Sequence, residues 1–543
     1  MTNNYAVFYN DDGSSMGCDA FESPVESHRE WVDRVLDHID VDVYTLSLAL
    51  PDIVFYPSAA GETLGQRFAR VEDIESEHLR AWTRCVRALD ALGTDPIAVV
   101  GEHVRARGAA FFAEIRVSDT HHMSADLSYP LCPQFSMDHP EWRIQRNDTL
   151  PDGVEEMAMD YSFPEVRAHR LAIVRELAAR PEIDGMELNF IRWGKNFIRE
   201  EAFDKAHVMT EFIGQIRQIL DDAAAARGSA RLPLAMRLPS TVAECLAGGL
   251  DPAAWLANGC MDYLIVSDFN YSDPQLPVEE FATITAGTEC KLLAQMGDMI
   301  GGTWQGKPSM KDRERGLAIF ADHYHGLLNT DAEARATACN AYAWGADGIS
   351  FWNICVNMGD VGSWCGPDHR ARMLGWMNAV RDMETALQGP RHYHYMPLYK
   401  WLNTPLRNYA VNRQYHSPLG GQHCRILTFD SAQNGTRQVY PFRMADGRNG
   451  EALTGTLRFP IFNLAPGDDI TIDINGEPVE NSCVRRHGRP STDPPVTIFV
   501  LALADCPAFR GHNELGLTVS RAEGDGESPY MEELEVIVED DAT

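Results

Sequence analysis

From the N-terminus to residue 388, short runs of apolar, β-branched and aromatic residues alternate with longer stretches whose apolar positions recur every three to four residues. Eight of the short runs have the length and composition of buried strands: Tyr5 to Tyr9, Val43 to Leu48, Ala110 to Val117, Gly185 to Phe190, Pro233 to Leu238, Tyr263 to Val266, Leu292 to Met296 and Gly348 to Trp352. Strands that alternate with amphipathic helices pair in parallel, and eight such units close a (β/α)8 barrel. The stretch from Pro164 to Pro181 shows the helical pattern. Pro164 and Glu165 suit a first turn, and Val166, Leu171, Val174 and Leu177 share a face. The segment Ser118 to Asp160 has no such period and is rich in Pro, His, Met and Trp. A loop of that length after a barrel strand either lines the active site or is a structural excursion.

Beyond Gly389 the rhythm becomes that of an antiparallel β-sandwich, with short strands around Ile426, Val439, Leu457, Ile472, Phe499, Leu517 and Val536 separated by Gly, Asn, Asp and Pro turns. Asn475-Gly476 predicts a tight hairpin, because both residues tolerate the positive φ of a type I′ turn. The expected organisation is therefore a barrel over 1–388, a linker over 389–417 and a sandwich over 418–543.

Composition narrows the functional classes. A formal charge of −32 over 543 residues argues against nucleic acid as a partner. No run is long and apolar enough for a membrane span, and the first residues lack the basic and apolar segments of a signal peptide, so the expectation is a cytoplasmic protein without a membrane partner. Twelve cysteines occur without a CxxC, which speaks against a zinc knuckle or a disulfide framework. No cofactor is called for, and a homo-oligomer is compatible with the sequence.

Catalytic side chains of such barrels project from the C-terminal ends of the strands. Period-two alternation puts Glu187 and Asn189 of the fourth strand on the inner face, and Glu114, Arg116 and Ser118 of the third strand likewise. The loop after the third strand adds Asp119, His121 and His122. A planar guanidinium at Arg116 suits a hydroxyl or carboxylate clamp, or a structural pair with Glu114 or Glu187. Adjacent histidines rarely face one ion and no HExxH is present, so no metal is assigned to His121. The remaining strand ends supply Asn10, Asp11 and Asp12, then Arg237, Asp268, Gln295 and Trp352. Acidic, amide, guanidinium and aromatic groups on one rim suit a polyol, with the aromatic face stacked on sugar C–H groups.

The segment Asp184-Gly185 through Asn189 to Arg192 resembles the DGxxxDxxR motif of several glycoside-hydrolase barrels. Together with Asn10-Asp11-Asp12-Gly13, the run ending Ser118 to His122, His139 to Trp142 and Phe163 to Arg167, it resembles the family-10-like glycosyl hydrolase barrels. A fourth-strand and sixth-strand pairing also resembles the α-galactosidase type of barrel. The resemblance implies a glycoside hydrolase using two carboxylates, here Glu187 and Asp268, with Asp12, Arg116, Asp119, His121, Arg192, Arg237, Gln295 and Trp352 binding the carbohydrate. It departs from the motif at Asn189, where an Asp is usual and an amide cannot be a nucleophile. Three readings follow: an inactivated variant, Glu187 carrying the chemistry beside a hydrogen-bonding Asn189, or a barrel that binds sugars without cleaving them. A sugar-acid lyase or isomerase, with Arg116 and Arg237 clamping a carboxylate and His121 as base, is the remaining alternative.

Overall fold

The computed structural model describes residues 4–13, 15, 23–120, 126–144, 157–192, 195–229, 231–267, 272–304, 324–352, 354, 367–395, 427–492, 494–521 and 527–539. The eight predicted strands form: β1 (Val7–Asp11), β2 (Val43–Leu50), β3 (Ala110–Arg116), β4 (Gly185–Asn189), β5 (Leu234–Leu238), β6 (Tyr263–Val266), β7 (Lys291–Met296) and β8 (Gly348–Phe351). All neighbours pair in parallel in chain order, and β8 pairs with β1 to close the barrel. The intervening helices include α1 (Pro24–Leu36), α2 (Glu77–Ala91), α3 (Pro96–Ala106), α4 (Pro164–Ala179), α5 (Ala206–Ala226) and α6 (Asp331–Ala343). Among the described residues, no helix is long and apolar enough to cross a membrane.

One device recurs at the N-terminal face. Asp42, Asp184, Asp262 and Asp347 each stand directly before an even-numbered strand, and each accepts a backbone N–H from the start of the preceding odd-numbered strand. The donors are Val7 at 2.8 Å, Phe111 at 3.1 Å, Leu234 at 2.9 Å and Leu292 at 2.9 Å. These carboxylates satisfy amides that the sheet ladder leaves over. Asp184, the first residue of the DGxxxDxxR-like segment, is thus a strand anchor on the face opposite the strand C-termini, where barrels keep their stability determinants.

Just above these anchors the lumen is apolar, filled by Phe8, Val43, Phe112, Ala235, Tyr263, Ile265 and Leu293. Phe8 lies edge-on to Phe112 at 5.7 Å and tilted against Tyr263 at 5.0 Å. Gly185 is required here, since a Cβ would lie 2.4 Å from the Phe112 ring. The larger apolar shell between barrel and helices includes Leu46, Ile115, Leu188, Met236, Leu264 and Phe351.

The sandwich consists of two antiparallel sheets. One has the order β9 (Arg391–Tyr395), β16 (Leu534–Val538), β11 (Gly455–Phe462), β14 (Val496–Ala502) and β13 (Val484–Arg489). The other has β10 (Arg437–Arg443), β15 (His512–Ser520) and β12 (Asp469–Ile474). The hairpin after β12 forms as predicted, with φ of 56° at Asn475 and 82° at Gly476. Two strands depart from the sequence reading. Arg391–Tyr395 lies inside the span expected to be linker, yet it is β9, paired along its length with β16. Its alternation of Arg, His and Tyr carries no aliphatic signal. β13 was not predicted because its residues Val484 to Arg489 are mostly exposed and basic, the usual protection of an edge strand. The rest of 389–417 after Tyr395 lies outside the described residues.

The two domains are tied by specific contacts. Asn340 of α6 donates to the Arg443 carbonyl at 2.9 Å and accepts from Ala445 N at 2.7 Å, replacing a strand partner with a side-chain amide. The Trp344 indole N–H donates to His512 at 3.1 Å, while Arg443 and Arg448 lie over its ring at 4.9 and 4.6 Å. The described cysteines are free thiols, six of the eight buried.

Candidate active site

Above the apolar floor the lumen turns polar, because β3 and β4 direct Glu114 and Glu187 inward side by side. Both are fully buried. Two carboxylates there are tolerable only with donors around them. Asn10 from β1 donates to Glu114 at 2.7 Å and to Glu187 at 3.4 Å. Arg237 from β5 donates through Nε to Glu187 at 2.8 Å and through a terminal nitrogen to Ser350 at 2.7 Å. Asn189 donates to Glu114 at 2.7 Å and accepts from Ile191 N at 2.9 Å. Burial pushes the Glu187 carboxyl above the usual range; Arg237 pulls it back and the charge on Glu114 adds to the rise.

At the mouth, Arg116 links three acids. It donates to Asp119 at 3.0 Å and to the Asp12 carbonyl at 2.9 Å, and its Nε lies 3.4 Å from Glu114. Arg192 pairs with Asp12 at 3.2 Å. The Asp12 side chain retains 11% exposure, against 1% for Asp119 and none for Glu187. Asp12 is therefore the most accessible carboxylate of this group. Trp352 is fully buried, with the Arg192 and Arg237 guanidiniums 4.8 and 5.4 Å from its ring centre. The expected sugar platform is thus a cation-covered indole that holds two arginines in place.

Asp11, beside this group, caps its own turn. It accepts from Gly13 N at 3.0 Å and from the Tyr44 hydroxyl at 2.8 Å, and burial raises its carboxyl above the usual range despite these bonds. Gln295 accepts from the Ser267 hydroxyl across β6 and β7.

Of the residues singled out in the sequence, Asp12, Arg116, Asp119, Glu187, Asn189, Arg192, Arg237 and Trp352 converge in one hydrogen-bonded and stacked network. Gln295 faces the β6 side. His121 and Asp268 lie outside the described residues. Two corrections concern Glu187 and Arg237: both are sealed and paired to each other, Glu187 because β4 continues to a further inward residue, Asn189, and Arg237 because its guanidinium is engaged by Glu187 and Ser350 beside Trp352. Sequence reasoning underweighted Glu114 and Asn10, which hold the layer together. Inward alternation already placed Glu114 beside Arg116, but only the barrel register brings it against Asn189 and Asn10.

No family model matches the chain, and no curated protein matches it in sequence. Solved structures resemble it at low identity. The glycoside hydrolase domain of PgaB (BpsB) from Bordetella bronchiseptica is 11% identical over 70% of this chain and 99% of its own, with a TM-score of 0.41. A family GH18 chitinase from Cycas revoluta bound to allosamidin is 12% identical over 69% and 98%, at 0.38. A chitinase-like agglutinin from Robinia pseudoacacia is 12% identical over 68% and 99%, at 0.37. The family-10-like pattern finds no counterpart among the family models.

Proposed function

We propose that the chain is a glycoside hydrolase whose carbohydrate substrate docks at the C-terminal mouth of the barrel. The observation that carries this reading is Asp12, a carboxylate kept partly open at the mouth and fixed between the guanidiniums of Arg116 and Arg192. Such pairing favours the ionised form, as a nucleophile or water-activating base needs. In this reading Asp268, at the end of β6 by sequence, supplies the proton. Glu187 is a positioning residue that acts through Arg237 and Asn10.

The alternatives draw less support. A sugar-acid lyase would need Arg116 and Arg237 as free forks for a substrate carboxylate, and both already engage protein carboxylates. Asn189, which suggested an inactivated or purely sugar-binding barrel, has its amide committed to Glu114 and Ile191. An Asp in its place would set two buried carboxylates against each other, so Asn189 is the residue this layer requires.

The test is hydrolysis of a panel of aryl glycosides and oligosaccharides by the native chain and by Asp12→Asn, Asp268→Asn and Glu187→Gln. Loss of a carboxylate acting directly lowers kcat by roughly 10²- to 10⁴-fold. That loss is expected for the first two variants, with a smaller one for Glu187→Gln. A native chain inert on every substrate, or full activity in Asp12→Asn, overturns the proposal.

A further inference from the structure

On the seam with the sandwich lies a second concentration of ionisable side chains that the proposed hydrolysis does not use. Strand alternation sends His392 and His394 of β9 to one face, while Tyr393 and Tyr395 enter the sandwich core. The register of β9 with β16 sets Glu535 opposite His394, and Glu533 precedes β16 by one residue. From the barrel side comes Glu333, the third residue of α6. Its Oε2 accepts from Thr330 N at 2.9 Å and from the Thr330 hydroxyl at 2.8 Å in a capping box, which turns Oε1 towards the imidazoles.

The resulting geometry has two shells. Glu333 Oε1 lies 2.8 Å from His394 Nδ1 and 3.7 Å from His392 Nδ1, and one ligand atom of each of these three residues lies within 4.8 Å of the others. Tetrahedral zinc with bonds of about 2.0 to 2.1 Å sets its ligands about 3.3 Å apart, between the two spacings to Glu333. On the far side of each ring stands a carboxylate. His392 Nε2 is 2.8 Å from Glu535 Oε2, and His394 Nε2 is 3.5 Å from Glu533 Oε2. A carboxylate hydrogen-bonded behind an imidazole, as Glu533 is behind His394, is the outer-shell arrangement that fixes the tautomer of metal-bound histidines and raises their basicity.

Charge points the same way. Glu333, Glu533 and Glu535 are all buried to about 1% exposure or less, and Arg458 at 2.6 Å from Glu535 Oε1 cancels one of their three charges. Three buried carboxylates around two imidazoles suit a divalent cation, which balances charge that is costly to bury.

We propose that Glu333, His392 and His394 bind a divalent transition-metal ion of the zinc class, with Glu533 and Glu535 as outer carboxylates, and that the ion joins barrel to sandwich. Three protein ligands of the His2Glu type leave a fourth position for water. Burial of the cluster makes the role of the ion structural.

The experiment loads the full-length chain, stripped with chelator, with zinc alone and with cobalt(II) alone. We expect one ion per chain by elemental analysis, visible cobalt bands without a thiolate charge-transfer band, and a rise in melting temperature on zinc addition. Glu333→Gln, which keeps the capping box, should lower zinc affinity. Glu533→Gln should weaken binding about 10- to 100-fold without touching the ion. His392→Asn should abolish binding. If that variant does not fold, the cobalt spectrum of the native chain and the two glutamine variants still decide. No bound ion, a thiolate-type cobalt spectrum, or zinc affinity unchanged in both glutamine variants overturns the proposal and leaves a seam neutralised by protons.

Discussion

Replacing Asn189 by Asp alters one donor atom in a fully buried layer, and its cost follows from the contacts. In the native chain Asn189 Nδ2 donates to Glu114 Oε1 at 2.7 Å. In Asn189→Asp an oxygen takes that place. Two full charges at this separation repel by about 6 kcal/mol at an effective dielectric of 20. The pair avoids the repulsion by holding one proton between its oxygens, which also restores a donor. Keeping that proton at pH 7, against an unfolded carboxyl near 4, costs about 1.4 kcal/mol per pH unit, or about 4 kcal/mol in all. The sign is fixed: the folded pair binds a proton that the unfolded chain has released, so stability is lost as pH rises from about 4 through the raised folded value of the pair. The variant should therefore be close to native stability at pH 4.5 and lose about 3 kcal/mol more by pH 7. Ten of the eleven tryptophans lie at or before residue 376, so fluorescence-monitored urea unfolding reports chiefly on the barrel. A loss of stability that does not change with pH, or native stability at pH 8 together with newly acquired hydrolysis, refutes the assignment of Asn189 as the partner of Glu114.

Other outcomes follow from neighbouring contacts. Arg237→Leu strips the buried Glu187 of its counter-charge and should cost about 3 to 5 kcal/mol, part of which returns in the double variant with Glu187→Leu; urea midpoints of the two distinguish this from simple loss of packing. Asp11 has its carboxyl raised by burial, so its neutral form contributes stability that is lost as pH rises from about 4 through its folded value; Asp11→Asn should flatten that part of the fluorescence-monitored stability curve. Gly476→Ala places a Cβ that touches nothing at a φ of 82°, so it should cost about 1 kcal/mol from backbone strain alone, read by calorimetry in the sandwich transition.

The barrel was legible because its strands are buried on both faces. Runs such as Tyr263 to Val266 are continuous in apolar and β-branched residues, and each is followed by a helix of recognisable period. Side-chain direction was also legible: alternation alone sent Glu114, Arg116, Glu187 and Asn189 inward. Depth was not. Whether Glu187 lies at the mouth or a layer below depends on how far neighbouring strands are staggered, which is a property of closure rather than of any one strand. The same holds for Trp352, whose stacking on Arg192 and Arg237 joins residues from three strands or their ends. Asp184 stands first in the motif-like segment, but its place before β4 puts it at the N-terminal end of the strand, where it anchors β3. β9 was hidden because its inward residues are tyrosines and its other face is turned to glutamates of the barrel and of β16, so neither face shows the aliphatic residues by which strands are recognised.

That strand also affects how the chain can be made. The sandwich is completed by its first and last strands, with Arg391 opposite Val538 and Tyr395 opposite Leu534. During synthesis the barrel has all eight of its strands once residue 351 has emerged, and it can close while the remainder is still being translated. β9 emerges soon afterwards but waits for more than a hundred further residues before its partner exists. In the folded chain β9 lies against the barrel helix that carries Glu333, so a barrel that has closed offers it a surface before β16 exists.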